Sequence, residues 1–101
     1  MTSFHGAEYR IQFSKIGIAS LKHRDLFAQD KMVSSFRARI NESEEFVEDG
    51  KRYFKCNITA DIGYDLFVIF EVNDPRRIIT LLLFVRELLS VKEMIEKENY
   101  Y

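Results

Sequence analysis

Tyr64-Asp65-Leu66-Phe67-Val68-Ile69-Phe70-Glu71-Val72 leads into Asn73-Asp74-Pro75-Arg76-Arg77, and Ile78-Ile79-Thr80-Leu81-Leu82-Leu83-Phe84-Val85 runs on from there to Arg86-Glu87. The first segment is apolar on both alternations, with Leu66, Val68, Phe70 and Val72 on one and Phe67 and Ile69 on the other, which predicts a long strand. The second is apolar or β-branched throughout, as expected of a central strand covered on both sides. Asn73-Asp74-Pro75 supplies a turn, so the two strands form an antiparallel hairpin. Arg86 is then a cation at the end of a buried strand. Such a charge costs free energy unless it has a partner or a task, which makes Arg86 the first functional candidate.

Upstream, Arg52 to Thr59 alternates Phe54, Cys56 and Ile58 with Tyr53, Lys55, Asn57 and Thr59, the two-residue period of a strand with one inward face. Lys55 and Asn57 are expected to point away from the helices. Asp49-Gly50 is a turn that tolerates positive φ, and the acidic stretch Glu42 to Asp49, with Phe46 and Val47 inside it, reads as a connection. Tyr9, Ile11 and Phe13 alternate with polar residues and predict a first strand, preceded by a short polar N-terminus expected to fray.

Lys15 to Ala28 fits a helix approximately, with Gly17 weakening its start. A second helix follows, capped by Asp30 and carrying Val33, Phe36 and Ile40 at spacings of three and four. Ser90-Val91-Lys92-Glu93 has the form of a capping box and predicts a short C-terminal helix. The expected architecture is an α+β two-layer sandwich in β-α-α-β-β-β order, with a mainly antiparallel sheet and a helical hairpin on one face. The other face is expected to be partly open.

At 101 residues, with 47% hydrophobic and 31% charged residues, the chain has the composition of one globular domain spanning residues 1–101. A lone Cys56 excludes an internal disulfide, and Leu81 to Val85, an apolar run as long as any in the chain, is too short to span a bilayer. With no charged-then-apolar leader, a cytoplasmic protein without membrane attachment is expected. The net charge of −1 announces no nucleic-acid partner. Locally, seven cations from Arg10 to Arg39 face only Asp25 and Asp30, roughly +5, and Glu42 to Asp49 returns about −5.

Tyr9-Arg10-Ile11-Gln12-Phe13, then Tyr53 to Ile58, Gly63 to Val72 and Ile78 to Glu87 together resemble the RelE/ParE superfamily of toxins from type II toxin–antitoxin modules. Its members begin with a strand of the Tyr-x-Ile-x-Phe type, continue through a helical hairpin and finish with three strands. The resemblance implies a toxin covered by a cognate antitoxin protein. RelE-like members cut messenger RNA on the ribosome, whereas ParE-like members poison gyrase. The first activity needs a group to accept the ribose 2′-hydroxyl proton, cations to hold the phosphorane charge and a group to protonate the leaving oxygen.

Carried over by position, Lys55 matches a basic site on the second strand, and Arg86 matches the arginine that closes the last strand. With Tyr64 they form the implied catalytic set, and Arg52, Arg76, Arg77 and His23 are candidate RNA contacts. Asn57 and Thr59 stand where RelE-like enzymes commonly have lysines, and Asp65 stands where an arginine is typical. Asp65 would repel a phosphate or form an ion pair with Lys55 or Arg86.

His5 and His23 lack partners at metal-ligand spacing, so no metal is expected. No phosphate-cradling glycine loop or dinucleotide fingerprint is present, so no cofactor is expected. Cys56 reads as a small buried hydrophobe. Phe67 and Ile69 on the outer sheet face, with Leu88 and Leu89, leave apolar surface for an antitoxin or for homodimerisation. The alternative to a toxin is a non-enzymatic α+β interaction module.

Overall fold

The computed structural model describes residues 1–98; Tyr100 and Tyr101 lie outside the described residues. The strands are β1 (Thr2–Phe4), β2 (Ala7–Phe13), β3 (Glu44–Glu48), β4 (Lys51–Asn57), β5 (Phe67–Asn73) and β6 (Ile78–Val85). The helices are α1 (Lys15–Lys22), α2 (Leu26–Arg39), the single turn α3 (Thr59–Ile62) and α4 (Val91–Glu98), with a 3-10 turn at Ile40–Glu42. The chain is therefore α+β. Its sheet is mixed, in the order β1-β2-β6-β5-β4-β3, and only the β2–β6 pairing is parallel.

β6 lies in the middle of the sheet as its composition predicts, but its apolar run conceals an irregularity. Ile69 pairs with Leu83 while Phe70 pairs with Leu81, so Leu82 is an extra residue that bulges out of the ladder. The bulge resets the alternation. Ile79, Leu81 and Phe84 join one buried cluster, and Leu83 joins the other.

Those clusters occupy opposite faces of the sheet, so the two-layer expectation is replaced by helices on both faces. Met32 and Phe36 of α2, with Ile40, cover Phe54, Cys56, Val68 and Phe70. Val91 and Met94 of α4 cover Ile69 and Leu83. The face expected to be open, toward which Lys55 points, is thus partly roofed by α4. Ile69 is fully buried there and Leu89 packs into the same cluster, whereas Phe67 is half-buried and Leu88 exposed, so part of the expected apolar surface is covered and part remains.

α1 and α2 do not lie together on the sheet as a hairpin. α1 packs along β6 and against α4, whereas α2 packs on β4 and α3. Where β2 ends, α1 continues along the same edge of β6. The Ser14 amide donates to the Leu81 carbonyl at 3.0 Å, and the Phe84 amide donates to the buried Ser20 hydroxyl at 2.8 Å. The helix thereby satisfies backbone groups that a strand would otherwise pair.

Gly17 is what allows this approach. A Cβ at that position would stand 2.3 Å from the Leu81 carbonyl oxygen.

Two further elements differ from expectation. The N-terminus is ordered, because His5 and Gly6, with φ of 50° and 81°, close a two-residue hairpin that buries Thr2 and Phe4. Glu44–Glu48 is an edge strand rather than a plain connection, joined to β4 through Asp49 and Gly50, whose φ values of 52° and 75° are the ones such a turn needs.

The first helix stops at Lys22 rather than Ala28, and the next is capped by Asp25, whose carboxylate accepts from the Ala28 amide at 2.8 Å. Asp30 therefore lies inside α2. Asp25 wins because the chain turns at His23 and Arg24, and the cap must stand at that break.

α3 is tied to α2 by Asp61, which accepts from the Ser35 hydroxyl and from Arg39 Nε at 2.6 Å. Arg39, then Ser35, hold the Asp61 carboxyl down from 3.8 to about 2.

Gly17→Ala gains at most about 1 kcal/mol of helix propensity, against an overpacking cost of roughly 1–3 kcal/mol or more. The expected result is a lower melting temperature, by roughly 4–8 °C per net kcal/mol. Because the Asp61 carboxyl is held low, its stabilising contribution is complete above pH 3.8 and is lost as pH falls through about 2. Asp61→Asn should flatten that acid limb in urea unfolding measured from pH 5 to 2.

Candidate functional site

Gly63 ends α3 in the left-handed region at φ 95°, which a side chain adopts only with strain, and the chain leaves the helix there to place Tyr64 at the surface. β6 ends at Val85, and Arg86 follows it into solvent. Arg86 is exposed, so the burial cost inferred from the sequence does not arise. Its guanidinium lies 4.6 Å from the centre of the Tyr64 ring, a cation–π contact that fixes both side chains relative to each other.

These two residues form one wall of a cavity of about 610 Å³ at the end of β6. His23 and Arg24 enter from the turn between α1 and α2. Glu87 follows Arg86, and Lys97 and Glu98 enter from α4 over an apolar floor of Phe84, Val85, Leu89 and Met94. Arg24 also closes the C-terminus of α1, donating to the Ser20 carbonyl at 2.5 Å. Lys97 pairs with Glu87 at 3.7 Å. His23 Nε2 lies 2.9 Å from Glu98 Oε1, and because an ionised carboxylate only accepts, the imidazole is the donor.

Leaving His23 aside, the described residues around the cavity include three cations and two carboxylates. The balance favours an anionic ligand modestly.

α4 brings Lys97 and Glu98 to this place, and its own position is fixed from the far side of the sheet. The Glu48 carboxylate accepts from the Val91 amide at 2.9 Å and the Lys92 amide at 3.3 Å, where the helix dipole favours a negative charge. Ser90 adds the expected cap, accepting from the Glu93 amide at 3.2 Å.

The other sequence candidates lie elsewhere. Lys55 is on β4, 3.6 Å from Glu44, and does not line the cavity. Asp65 forms no ion pair with Lys55 or Arg86 among the described residues, so neither cation is neutralised by it.

Arg52 and Arg76 line a second groove toward the other end of β6, where it takes in Ile78 and Thr80 while the first takes in Phe84 and Val85. Arg52 is bonded to Glu45 and lies over the Phe54 ring. Arg77 is part of the turn itself. It donates to the Tyr9 hydroxyl at 3.1 Å, and that hydroxyl donates to Asp74 at 2.5 Å, which raises its pKa. The candidates do not all line one cavity. Tyr64, Arg86 and His23 come together; Arg52 and Arg76 form a separate group.

Sequence reading missed Arg24, Lys97 and Glu98, which reach the cavity through tertiary packing alone. Cys56 is fully buried, and burial pushes its thiol up to about 11, which leaves it unreactive. Among the described residues no group of three or more His, Cys, Asp or Glu side chains gathers as a metal ion would need, and no helix is long and apolar enough to cross a membrane.

Comparison with family models, with curated proteins and with solved structures found no match to this chain.

Glu48→Ala leaves the first amides of α4 without their carboxylate, at a cost of about 1 kcal/mol by analogy with capping losses. Hydrogen exchange should show faster exchange in α4 than in α2 of the same variant.

Proposed function

We propose that this chain is a toxin of the RelE/ParE type that cuts messenger RNA, holding the scissile phosphate in the cavity at the end of β6. The observation that carries the proposal is the convergence there of Arg86, Arg24 and Lys97 with the Tyr64 hydroxyl and His23, from four separate parts of the chain. Two guanidiniums offer forked donors for phosphate oxygens, and charge developing on a phosphorane is stabilised most by donors already in place. Two features depart from the family pattern: α4 partly roofs the sheet face, and Lys55 lies away from the cavity. The reaction is accordingly assigned to the end of the sheet rather than to its face, with Arg86 as the phosphate ligand.

A second reading, a non-enzymatic interaction module, is favoured by Leu26 and Phe27, which are 77% and 80% exposed at the start of α2. Two adjacent apolar side chains so exposed offer an anchor for a protein partner, whether an antitoxin, another cellular protein or a second copy.

Induced expression in a bacterial host, with messenger 3′ ends mapped, tests both. Under the toxin reading, growth and translation stop, new messenger ends appear, and Arg86→Ala relieves the arrest by at least tenfold in surviving cells. Arrest without messenger cleavage moves the target to gyrase. Normal growth on expression of the folded wild type overturns the toxin reading and leaves the interaction module.

A further inference from the structure

The outward faces of α1 and α2 carry a surface of a different kind from the cavity. We propose that it docks the protein on a bilayer rich in anionic lipid, with Leu26 and Phe27 entering the headgroup layer; the inference stands independently of the nuclease reading.

At about 100° per residue, Leu26, Phe27, Lys31 and Arg37 fall within an arc of about 140° on α2, and Met32, Ser35 and Phe36 on the opposite side are buried. A surface helix ordinarily turns polar residues outward. α2 instead begins its outward face with a leucine and a phenylalanine, both largely exposed. The residues one turn on, Gln29, Asp30 and Lys31, are polar, so the pair does not continue into the three-and-four-residue stripe by which a helix enters a protein groove. It forms a short apolar tip, and neither of the cavities above takes it in.

The charges on these helices are mostly of one sign. Lys15, Ile18, Ala19 and Lys22 share one exposed face of α1. Leaving His23 aside, the exposed charges on α1, α2 and the turn between them are Lys15, Lys22, Lys31 and Arg37 against Asp25 and Asp30, and Asp25 is engaged as the cap of α2. None of those four cations has an ion-pair partner among the described residues, whereas Arg39, Lys51, Arg52, Lys55 and Lys97 each pair with a carboxylate. The chain as a whole has a net charge of −1, so the positive surface is a local excess and not a general basicity.

An apolar insertion and a basic patch are each weak membrane signals alone and act together. Lysines and arginines are attracted to an anionic leaflet within a Debye length of it, while leucine and phenylalanine gain by leaving water. A symmetric second copy of the chain would bring the same four cations face to face, which disfavours it as the occupant.

Cosedimentation of the full chain with vesicles of phosphatidylcholine and phosphatidylglycerol in equal parts, beside vesicles of phosphatidylcholine alone, tests the proposal. The protein should partition onto the mixed vesicles, lose that partition in high salt, and stay in the supernatant with phosphatidylcholine. Leu26→Ser combined with Phe27→Ser should lower the partition coefficient by at least about tenfold, since burial of even one such side chain is worth roughly a decade in affinity. Lys22→Gln combined with Lys31→Gln should lower it on the mixed vesicles by about tenfold or more. The chain has no tryptophan, so Phe27→Trp places a single indole at the tip, and its emission should move to shorter wavelength on the mixed vesicles.

Failure of the folded wild type to partition onto the mixed vesicles overturns the proposal and leaves Leu26 and Phe27 to a protein partner. Partition that is unchanged in the serine double variant, or that leaves the emission of Phe27→Trp unshifted, also overturns it, because the protein then adsorbs by charge alone. Neither result bears on messenger cleavage.

Discussion

The whole molecule is organised around the edge of β6 beyond Leu81. A strand can be central only if both of its edges are satisfied, and β2 is too short to accompany β6 to its end. α1 takes over with a backbone amide, the Ser20 hydroxyl and the absence of a side chain at Gly17. Since an unpaired buried amide costs roughly 1–3 kcal/mol, the contact determines how far β6 can be buried. With α1 fixed, the turn after it brings His23 and Arg24 beside the strand's end. The bulge at Leu82 works in the same direction, because it sends Leu83 to the α4 face while Phe84 stays with α2.

The cavity is therefore a consequence of how the sheet is closed rather than of its curvature. Arg86 is held by the Tyr64 ring, α4 is held by Glu48 at one end and by Val91 and Met94 beneath, and Glu98 meets His23 only because both helices are anchored to β6. Arg52, Arg76 and Arg77 lie toward the other end of the same strands and do not line this cavity.

The strands that carry strong periodicity were legible. Phe54, Cys56 and Ile58 face inward as their two-residue period requires, and β6 has the predicted bounds. What escaped lacked a local signal. β1 is three residues long and its turn advertises only Gly6; β3 is masked by its carboxylates; a continuous apolar run such as Leu81 to Val85 has no period from which a bulge could be read. The covering of Ile69 by α4 was invisible because a residue buried by a distant helix looks, in sequence, like a residue exposed. At the cavity, Arg86, Tyr64 and His23 stood out by type and position. Arg24, Lys97 and Glu98 did not, since their role exists only after α1 and α4 have docked.

Cys56 carries a consequence of a different kind. With no exposed surface and its pKa pushed up to about 11, the chain's one thiol is closed to alkylating agents and oxidants while β4 lies between β3 and β5 beneath α2. Its modification therefore counts the opening events of the core, giving the protein a built-in chemical clock for its own unfolding. For the same reason, a disulfide-linked pair of these chains would be a record that both molecules had opened, not of any association between folded ones.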